Sequence, residues 1–403
     1  MLFILRLNFE LEGRIVTNQI NELDTNIVIP SDLKNLDGAL HALVSNIDIL
    51  DAVSPLNYRD EKKAFFDGYY SKIPNFIYKK SAIDAFGLKR GLFNLPLEKI
   101  QDEDLRQIYL DIIDSYIDKI DQFKSIGSGD FLYDSLRYYG EPSEKDIRNA
   151  HFVLHLPDTS SPEESEPTLD ASDIERLLGG FADERGYEYV LKKDDAMIAN
   201  ALVSGTTIKI NNAAKVSKIE AMALAHHEVG VHLVTTLNGR VQPLKLLSIG
   251  CPLNTMTQEG MAILAEYLAG CLTVKRLKIL ALRVLAVESM LKEKNFRTTF
   301  LLLKEQYHAS DEQAFTITAR VYRGGGFTKD FLYLQGFHQM LNAYESEPNF
   351  NHLLAGKTSI DYLPRITKLI DKGLLLAPKY IAPAFINPVD NSDAHKFIAH
   401  AIK

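Results

Sequence analysis

The sequence predicts a mainly helical α+β fold in which a small sheet stands beside a helix bearing a His-Glu-His cluster, and three observations carry that expectation. Long stretches repeat apolar residues every three or four positions, the mark of helices buried along one face. Three short runs between residues 187 and 210 have the β-branched and aromatic content of strands. The densest group of histidine and glutamate lies in the helical pattern that follows them.

The helical part begins in the first 150 residues. From Asp102 to Phe123, apolar Leu105, Ile108, Tyr109, Ile112, Ile113, Tyr116, Ile117 and Ile120 form one stripe, with charges opposite. Gly127, Ser128 and Gly129 end it, and a second helical segment runs from Phe131 to Tyr138 before Gly140. The strand-like runs are Tyr187 to Lys192, Met197 to Val203 and Thr206 to Ile210, separated by Asp194–Asp195 and Ser204–Gly205 as turn signals. Helical patterns then cover about Ser217 to Leu237, Gln258 to Leu272, Leu277 to Leu291, Glu312 to Val321 and Pro364 to Gly373. The run DTSSPEESEP holds four acidic side chains and no aromatic, so it reads as a surface linker. The expected organisation is a mainly helical region over 1–156, an acidic linker over 157–168 and a second domain over 169–403.

Composition narrows the function classes. At 403 residues the chain can bury a large core. Its 46% hydrophobic and 24% charged content is that of a soluble globular protein. A formal net charge of −8 supplies no overall basic field, so neither nucleic acid nor membrane is expected as a partner. The N-terminus is apolar only to Leu5 before Arg6 intervenes, too short for a secretory core of about 7–15 apolar residues. The most membrane-like stretch, Leu277 to Leu291, carries Lys278, Arg283 and Glu288 and reads as an amphipathic helix. Cys251 and Cys271 read as reduced, mostly buried thiols of a cytoplasmic protein. The oligomeric state is left open.

The chemistry concentrates in AMALAHHEVGVHLVTTLNGR. Here His227, Glu228 and His232 form H-E-x-x-x-H, one residue longer than the H-E-x-x-H in which two histidines share a helix face. At about 100° per residue, five steps turn the second imidazole roughly 140° away from the first. One extra residue in the turn restores the common face, so the spacing predicts a π-type irregularity between His227 and His232. Gly230, inside the spacing, lowers the resistance to it.

Three protein ligands and a water make up a catalytic zinc site. Glu259 is the expected third ligand. It lies 259 − 232 = 27 residues beyond His232, enough for a loop through Asn238, Gly239 and Pro243 and a return on a second helix, whose first turn would carry it. Glu228, beside a ligand but rotated from it, suits the general base. These expectations define a zincin-like metallopeptidase holding Zn2+. A lone histidine is more often a packed or surface residue than a ligand, and His226, six residues before His232, reads as a surface histidine or one that supports a ligand from behind. Glu266, two helical turns beyond Glu259, could orient a ligand histidine or be a core-paired carboxylate.

A resemblance to a known family joins this reading. HHEVGVH, then NGR at Asn238 to Arg240, QPL at Gln242 to Leu244 and QEGMA at Gln258 to Ala262 are similar to the family named for a QEGLA motif. Its bacterial members are labelled flavohemoglobin expression-modulating. Its animal relatives include the microtubule-associated tyrosine carboxypeptidase, which removes the terminal tyrosine of α-tubulin. The likeness extends to FIY at Phe76 to Tyr78, FNLPLEKIQD from Phe93, SLRYYG from Ser135 and RVYRGGGFTKDFLYLQG from Arg320 to Gly336. Met261 replaces the usual leucine.

The resemblance implies zinc ligands at His227, His232 and Glu259, a catalytic Glu228, and a carboxypeptidase acting on a peptide or protein C-terminus. It does not carry the tubulin substrate across. A carboxypeptidase must hold a terminal carboxylate, which makes Arg323, Arg320 and Lys329 candidate substrate-binding residues and Tyr322 a candidate donor to the oxyanion. A solvated basic turn is the plain alternative for them. Two other functions remain open at this level: an endo- or dipeptidyl-type metallopeptidase, and a zinc-bearing regulatory protein without catalysis.

Overall fold

A computed structural model describes residues 29–79, 83–157, 168–195 and 197–403. The apolar start of the chain and nearly all of the expected acidic linker lie outside them. The described residues are mainly helical with two small sheets.

The N-terminal helices form where the apolar stripes predict them. Helix α1, Glu103–Ser125, starts at Asp102, whose carboxylate accepts from the Leu105 N–H, and it buries Leu105, Ile108, Tyr109, Ile112, Ile113, Tyr116 and Ile120. The helix Phe131–Tyr139 ends where Gly140 takes a left-handed φ of 76°. Two apolar cores result. One joins α1 and the helix Ser31–Val44 to Leu244, Leu247, Ile366 and Leu369, so residues from both halves of the sequence share it. The larger surrounds the His/Glu cluster and also takes in Phe65, Ala150 and Val153.

Strands β1 (Leu169–Asp170), β2 (Val190–Asp194), β3 (Ala201–Ser204), β4 (Thr207–Asn211) and β5 (Lys215–Val216) make two sheets. β1 pairs antiparallel with β5. The other sheet has the order β2-β4-β3, with β4 parallel to β2 and antiparallel to β3. Ser204 pairs with Thr207, and Gly205 at φ +59° makes the tight turn between them. β3 is thus an edge strand.

Ser217 opens the next segment with a capping box to Glu220. Helix α2 (Lys218–Leu224) runs into a π-helical stretch, Ala225–Leu233, and on into α3 (Val234–Val241). The helix therefore passes through Asn238 and Gly239, where the sequence suggested a loop. Asn238 explains the difference: its side chain bonds the Leu354 and Tyr380 carbonyls and the Tyr380 N–H, holding it inside the core. Gln242 does the same for the Ala355 and Leu376 carbonyls and the Leu376 N–H.

Helix α4, Asn254–Leu268, is buried without a break from Thr257 to Leu268. It starts earlier than expected, so Glu259 falls in its second turn. Helix α5, Val274–Glu293, also departs from expectation. Its apolar residues pack nearly all round, and its Arg276 joins an internal ion pair rather than a solvated face. Helices α6 (Asp311–Tyr322) and α7 (Leu332–Ser346) complete the surroundings of the cluster. Among the described residues no helix is long and apolar enough to cross a membrane. Neither Cys251 nor Cys271 is in a disulfide, and Cys251 is buried.

α4 meets α7 at Gly260 and Gly336, where backbone touches backbone. A Cβ on Gly260 would overlap the Gly336 carbonyl, and one on Gly336 would overlap the Met256 carbonyl. Gly260→Ala and Gly336→Ala should each lower stability by about 1–3 kcal/mol in urea denaturation, the usual cost of overpacking. Gly38→Ala is the contrasting substitution, because a Cβ at Gly38 meets nothing within 4 Å inside the helix Ser31–Val44. It should stabilise by about 0.5–1 kcal/mol.

Candidate metal centre

Three side chains from two helices converge. The His227 Nε2 lies 3.5 Å from Glu259 Oε2, and the His232 Nε2 lies 3.6 Å from the same oxygen. The imidazole rings are 4.9 Å apart and nearly perpendicular. One ligand atom from each residue lies within 4.8 Å of the other two. Metal–ligand bonds of about 2.0–2.1 Å in a tetrahedron put donor atoms roughly 3.3 Å apart, so the spacing fits a small ion held by all three. Two imidazoles and one carboxylate are also donors that suit zinc. A shared face for histidines five apart is what the π-helical turn provides. Space does not demand glycine at its middle, since a Cβ on Gly230 would make only ordinary contacts of 3.7 Å or more.

Glu228 stands at the edge of this group. Its Oε2 accepts from the Val203 N–H on β3 at 2.9 Å, and its Oε1 lies 3.9 Å from His227 Nε2. One oxygen is fixed by the sheet edge, and the other faces the cluster.

Each buried carboxylate on α4 divides its charge between a histidine and a cation. Glu266 Oε1 lies 2.7 Å from His227 Nδ1, and Arg276 donates to both Glu266 oxygens at 3.1 Å. Glu266 is therefore both the ring-orienting group and the core-paired carboxylate that the sequence left as alternatives. With Nδ1 engaged, Nε2 is the nitrogen turned to the centre. Glu259 Oε1 accepts from Lys329 Nζ at 2.7 Å, leaving Oε2 for the histidines.

The electrostatics follow from this packing. Burial opposes a charged His227 ring, but Glu259, Glu266 and Glu228 outweigh it and hold its pKa up at about 10. Burial would raise Glu259, yet Lys329 and the two histidines keep it well below the usual carboxylate range. Glu266 is held down, against burial, by Arg276 and His227. Lys357 was not legible in the sequence, where it is one lysine after a glycine. Its Nζ lies 3.4 Å from Thr235 Oγ1, one helical turn past His232. Burial brings its pKa down to about 8, against the pull of Glu259 and Glu228.

The other sequence candidates each lie against partners within the fold. Lys329 is held by Glu259 and by the Tyr333 hydroxyl at 2.9 Å, so it is committed to the centre's own carboxylate. Arg320 is locked by Asp330, which takes both its Nε and its Nη2. The Tyr322 hydroxyl exchanges a hydrogen bond with Thr299 at 3.1 Å, and its ring packs on Phe296. Each of these three has a partner within the protein, and Tyr322, only half-buried, also lines a cavity with Phe76 and Tyr78. Arg323 is buried, and its guanidinium lies 4.9 Å from the centre of the Phe327 ring, with no hydrogen-bond acceptor for Nε among the described residues. His226 packs edge-on against Phe181, 4.9 Å away, and burial lowers its pKa to about 4. It packs on that ring rather than behind a ligand histidine or out at the surface.

The scattered sequence motifs meet beside this centre. Gly324 donates to the Tyr78 hydroxyl, Gly127 donates to the Gly324 carbonyl, and Thr328 donates to Ser135 Oγ. FIY and SLRYYG thereby brace the RGGGFTKD segment that delivers Lys329 to Glu259.

A model of the microtubule-associated tyrosine carboxypeptidase family matches residues 63–403, and the chain belongs to that family. No curated protein matches it.

Two outcomes test the centre. Glu266→Gln should weaken zinc binding about 10- to 100-fold, read by competition with a chromophoric chelator. Stability of the metal-free protein should fall as pH rises from about 6.5 to about 10. A His227 proton held more tightly in the folded chain stabilises it fully below the unfolded value and ceases to do so above the folded one. Thermal denaturation in a chelator should show the decline, and zinc-loaded protein should not.

Proposed function

We propose that this member of the microtubule-associated tyrosine carboxypeptidase family is a zinc-dependent carboxypeptidase that removes a C-terminal residue from a peptide or protein. The observation that carries the reading is the convergence of His227, His232 and Glu259 beside a carboxylate, Glu228, that is not needed to hold the ion. A purely structural zinc site closes with four protein ligands and has no use for such a group. A helix with two histidines beside the edge strand β3 also fits a zincin-like arrangement.

Zinc, when bound by His227, His232 and Glu259, would supply Lewis acidity, lowering the pKa of a water and polarising a carbonyl. The protein's own groups do the rest. Glu228 Oε1 accepts the proton of the attacking water and returns it to the departing amine. The Val203 N–H holds Oε2, so the carboxylate cannot swing away between the two transfers. Glu266 fixes the His227 tautomer, with the proton on Nδ1. Lys329 keeps Glu259 ionised and aligned. The absence of a disulfide at Cys251 and Cys271 accords with a reducing, cytoplasmic setting.

Mass spectrometry of a peptide library incubated with zinc-loaded protein is the direct test. Shortening by one residue from the C-terminus, abolished by a chelator, is expected. Glu228→Gln should keep zinc and lose at least about 100-fold in turnover, the usual contribution of a general base. Internal cleavage of C-terminally amidated peptides would instead point to an endopeptidase. Unchanged physiological function in Glu228→Gln would point to a binding role.

A further inference from the structure

The centre has one neighbouring cation that its own carboxylates do not claim. Lys329 bonds Glu259, and Arg276 bonds Glu266. Lys357 stands near the same acids, yet among the described residues no carboxylate lies within 4 Å of its Nζ. Among those residues its only hydrogen-bond partner is Thr235 Oγ1, at 3.4 Å. That is longer than the roughly 2.7–3.2 Å of a firm N–H···O bond, so the three donors of the ammonium are almost uncommitted.

The backbone that carries Lys357 is pinned from two sides. Its N–H donates to the Leu247 carbonyl at 2.7 Å, and its carbonyl accepts from the Cys251 N–H at 2.9 Å. Gly356 permits that approach, since a Cβ there would overlap the Leu247 carbonyl. From the other side the Gln258 side chain reaches the Gly356 and Thr358 carbonyls, at 3.4 Å each. Gln258 precedes Glu259 on α4, and Thr235 follows His232 by one turn on α3. The segment is thus held against the two helices that supply the ligands.

The ammonium approaches from the more open side of the centre. His232 is 14% exposed against 8% for His227, and Lys357 lies on the His232 side. Glu259 and Glu228 both pull on its charge, while burial brings its pKa down to about 8, so it is mostly protonated at neutral pH. A cation that faces two central acids, bonds neither and sits on fixed backbone is placed for a charge that exists only during reaction.

We propose that Lys357 stabilises the oxyanion formed when water attacks the scissile carbonyl. The sequence suggested Tyr322 for that role, but the Tyr322 hydroxyl bonds Thr299. In the attack the water oxygen bonds the carbonyl carbon, the π pair moves onto the carbonyl oxygen, and one water proton passes to Glu228. On collapse the C=O bond re-forms, the C–N bond breaks, and the proton leaves Glu228 for the amine. Lys357 donates a hydrogen bond throughout and exchanges no proton. The proposal rests on the peptidase reading given above.

Two non-cleavable peptide analogues, each ending in a free carboxylate, provide the test on zinc-loaded protein. One has a phosphinate at the scissile position, which mimics the tetrahedral anion, and the other has an uncharged methylene link there. In calorimetry, Lys357→Met should weaken phosphinate binding about 10- to 100-fold, the range of a hydrogen bond to a charged group. Binding of the methylene analogue and of zinc should not change. In peptide trimming, kcat should fall about 100- to 1000-fold with little change in KM. Lys357→Gln, equally uncharged, gives the same reading if the methionine variant does not fold.

Unchanged phosphinate affinity in the neutral variants would overturn the proposal. An equal loss for both analogues would do so too, because it would make Lys357 a receiver of the terminal carboxylate. The outcomes for the two readings separate. A protein that hydrolyses no peptide, yet binds the phosphinate through Lys357, would lose the peptidase reading and keep the anion site. A protein that trims normally after Lys357→Met would keep the peptidase reading and lose this one.

Discussion

Glu259 and Glu266 sit on a helix that is buried on every side, and the rest of the centre is arranged around that constraint. A carboxylate cannot be taken out of water alone. Each is therefore met by a cation from one direction and by an imidazole from the other. Lys329 comes from the short turn before α7 and Arg276 from the start of α5. Both arrive through tertiary packing. The same packing brings α4 onto α7 at two glycines, so the closeness of those helices sets how far Glu259 can move.

The π-helical turn is the second element of the same geometry. A regular helix would point His232 away from His227, and no adjustment of a side-chain rotamer spans 140° of rotation. One extra residue in the turn brings both Nε2 atoms toward one oxygen of Glu259. Because Gly230 is not forced by space, the turn owes its persistence to what surrounds it. α4 runs alongside it, and β3 ties it down through the bond from Val203 to Glu228. The small sheet thus has a structural duty toward the centre: its free edge holds the carboxylate beside the histidines.

How far the sequence revealed this depends on whether a signal is local. Helix positions follow from apolar spacing, and the observed ends of α1, α5 and α6 fall within a few residues of the expected ones. The turn at His227 was legible because the spacing itself is anomalous. His227, His232 and Glu259 stood out through residue type and order. The partners were not legible, because nothing near them in sequence marks them. Arg283 looked like the polar face of an amphipathic helix, since periodicity cannot tell a face turned to water from one turned to buried charges. Lys329 and Arg320 looked like cations waiting for a substrate for the same reason: the acid each one meets is invisible in its own segment. Asn238 and Gln242 belong to motifs shared with the family, yet they act as clamps on the backbone near residues 354–380.

Charge balance links the centre to the chemistry proposed for it. Glu228, Glu259 and Glu266 are three carboxylates, and Arg276 and Lys329 supply two positive charges among their direct partners. One negative charge is left over, and a proton on His227 neutralises it, which is why that ring holds its proton so far above the ordinary histidine range. A divalent cation held by the same residues would displace that proton and leave one unit of positive charge. Negative charge developing on a carbonyl under attack is what such a surplus stabilises best. The buried acids that make the metal-free centre cling to a proton are, on this account, the same groups that tune the loaded centre for a short-lived anion.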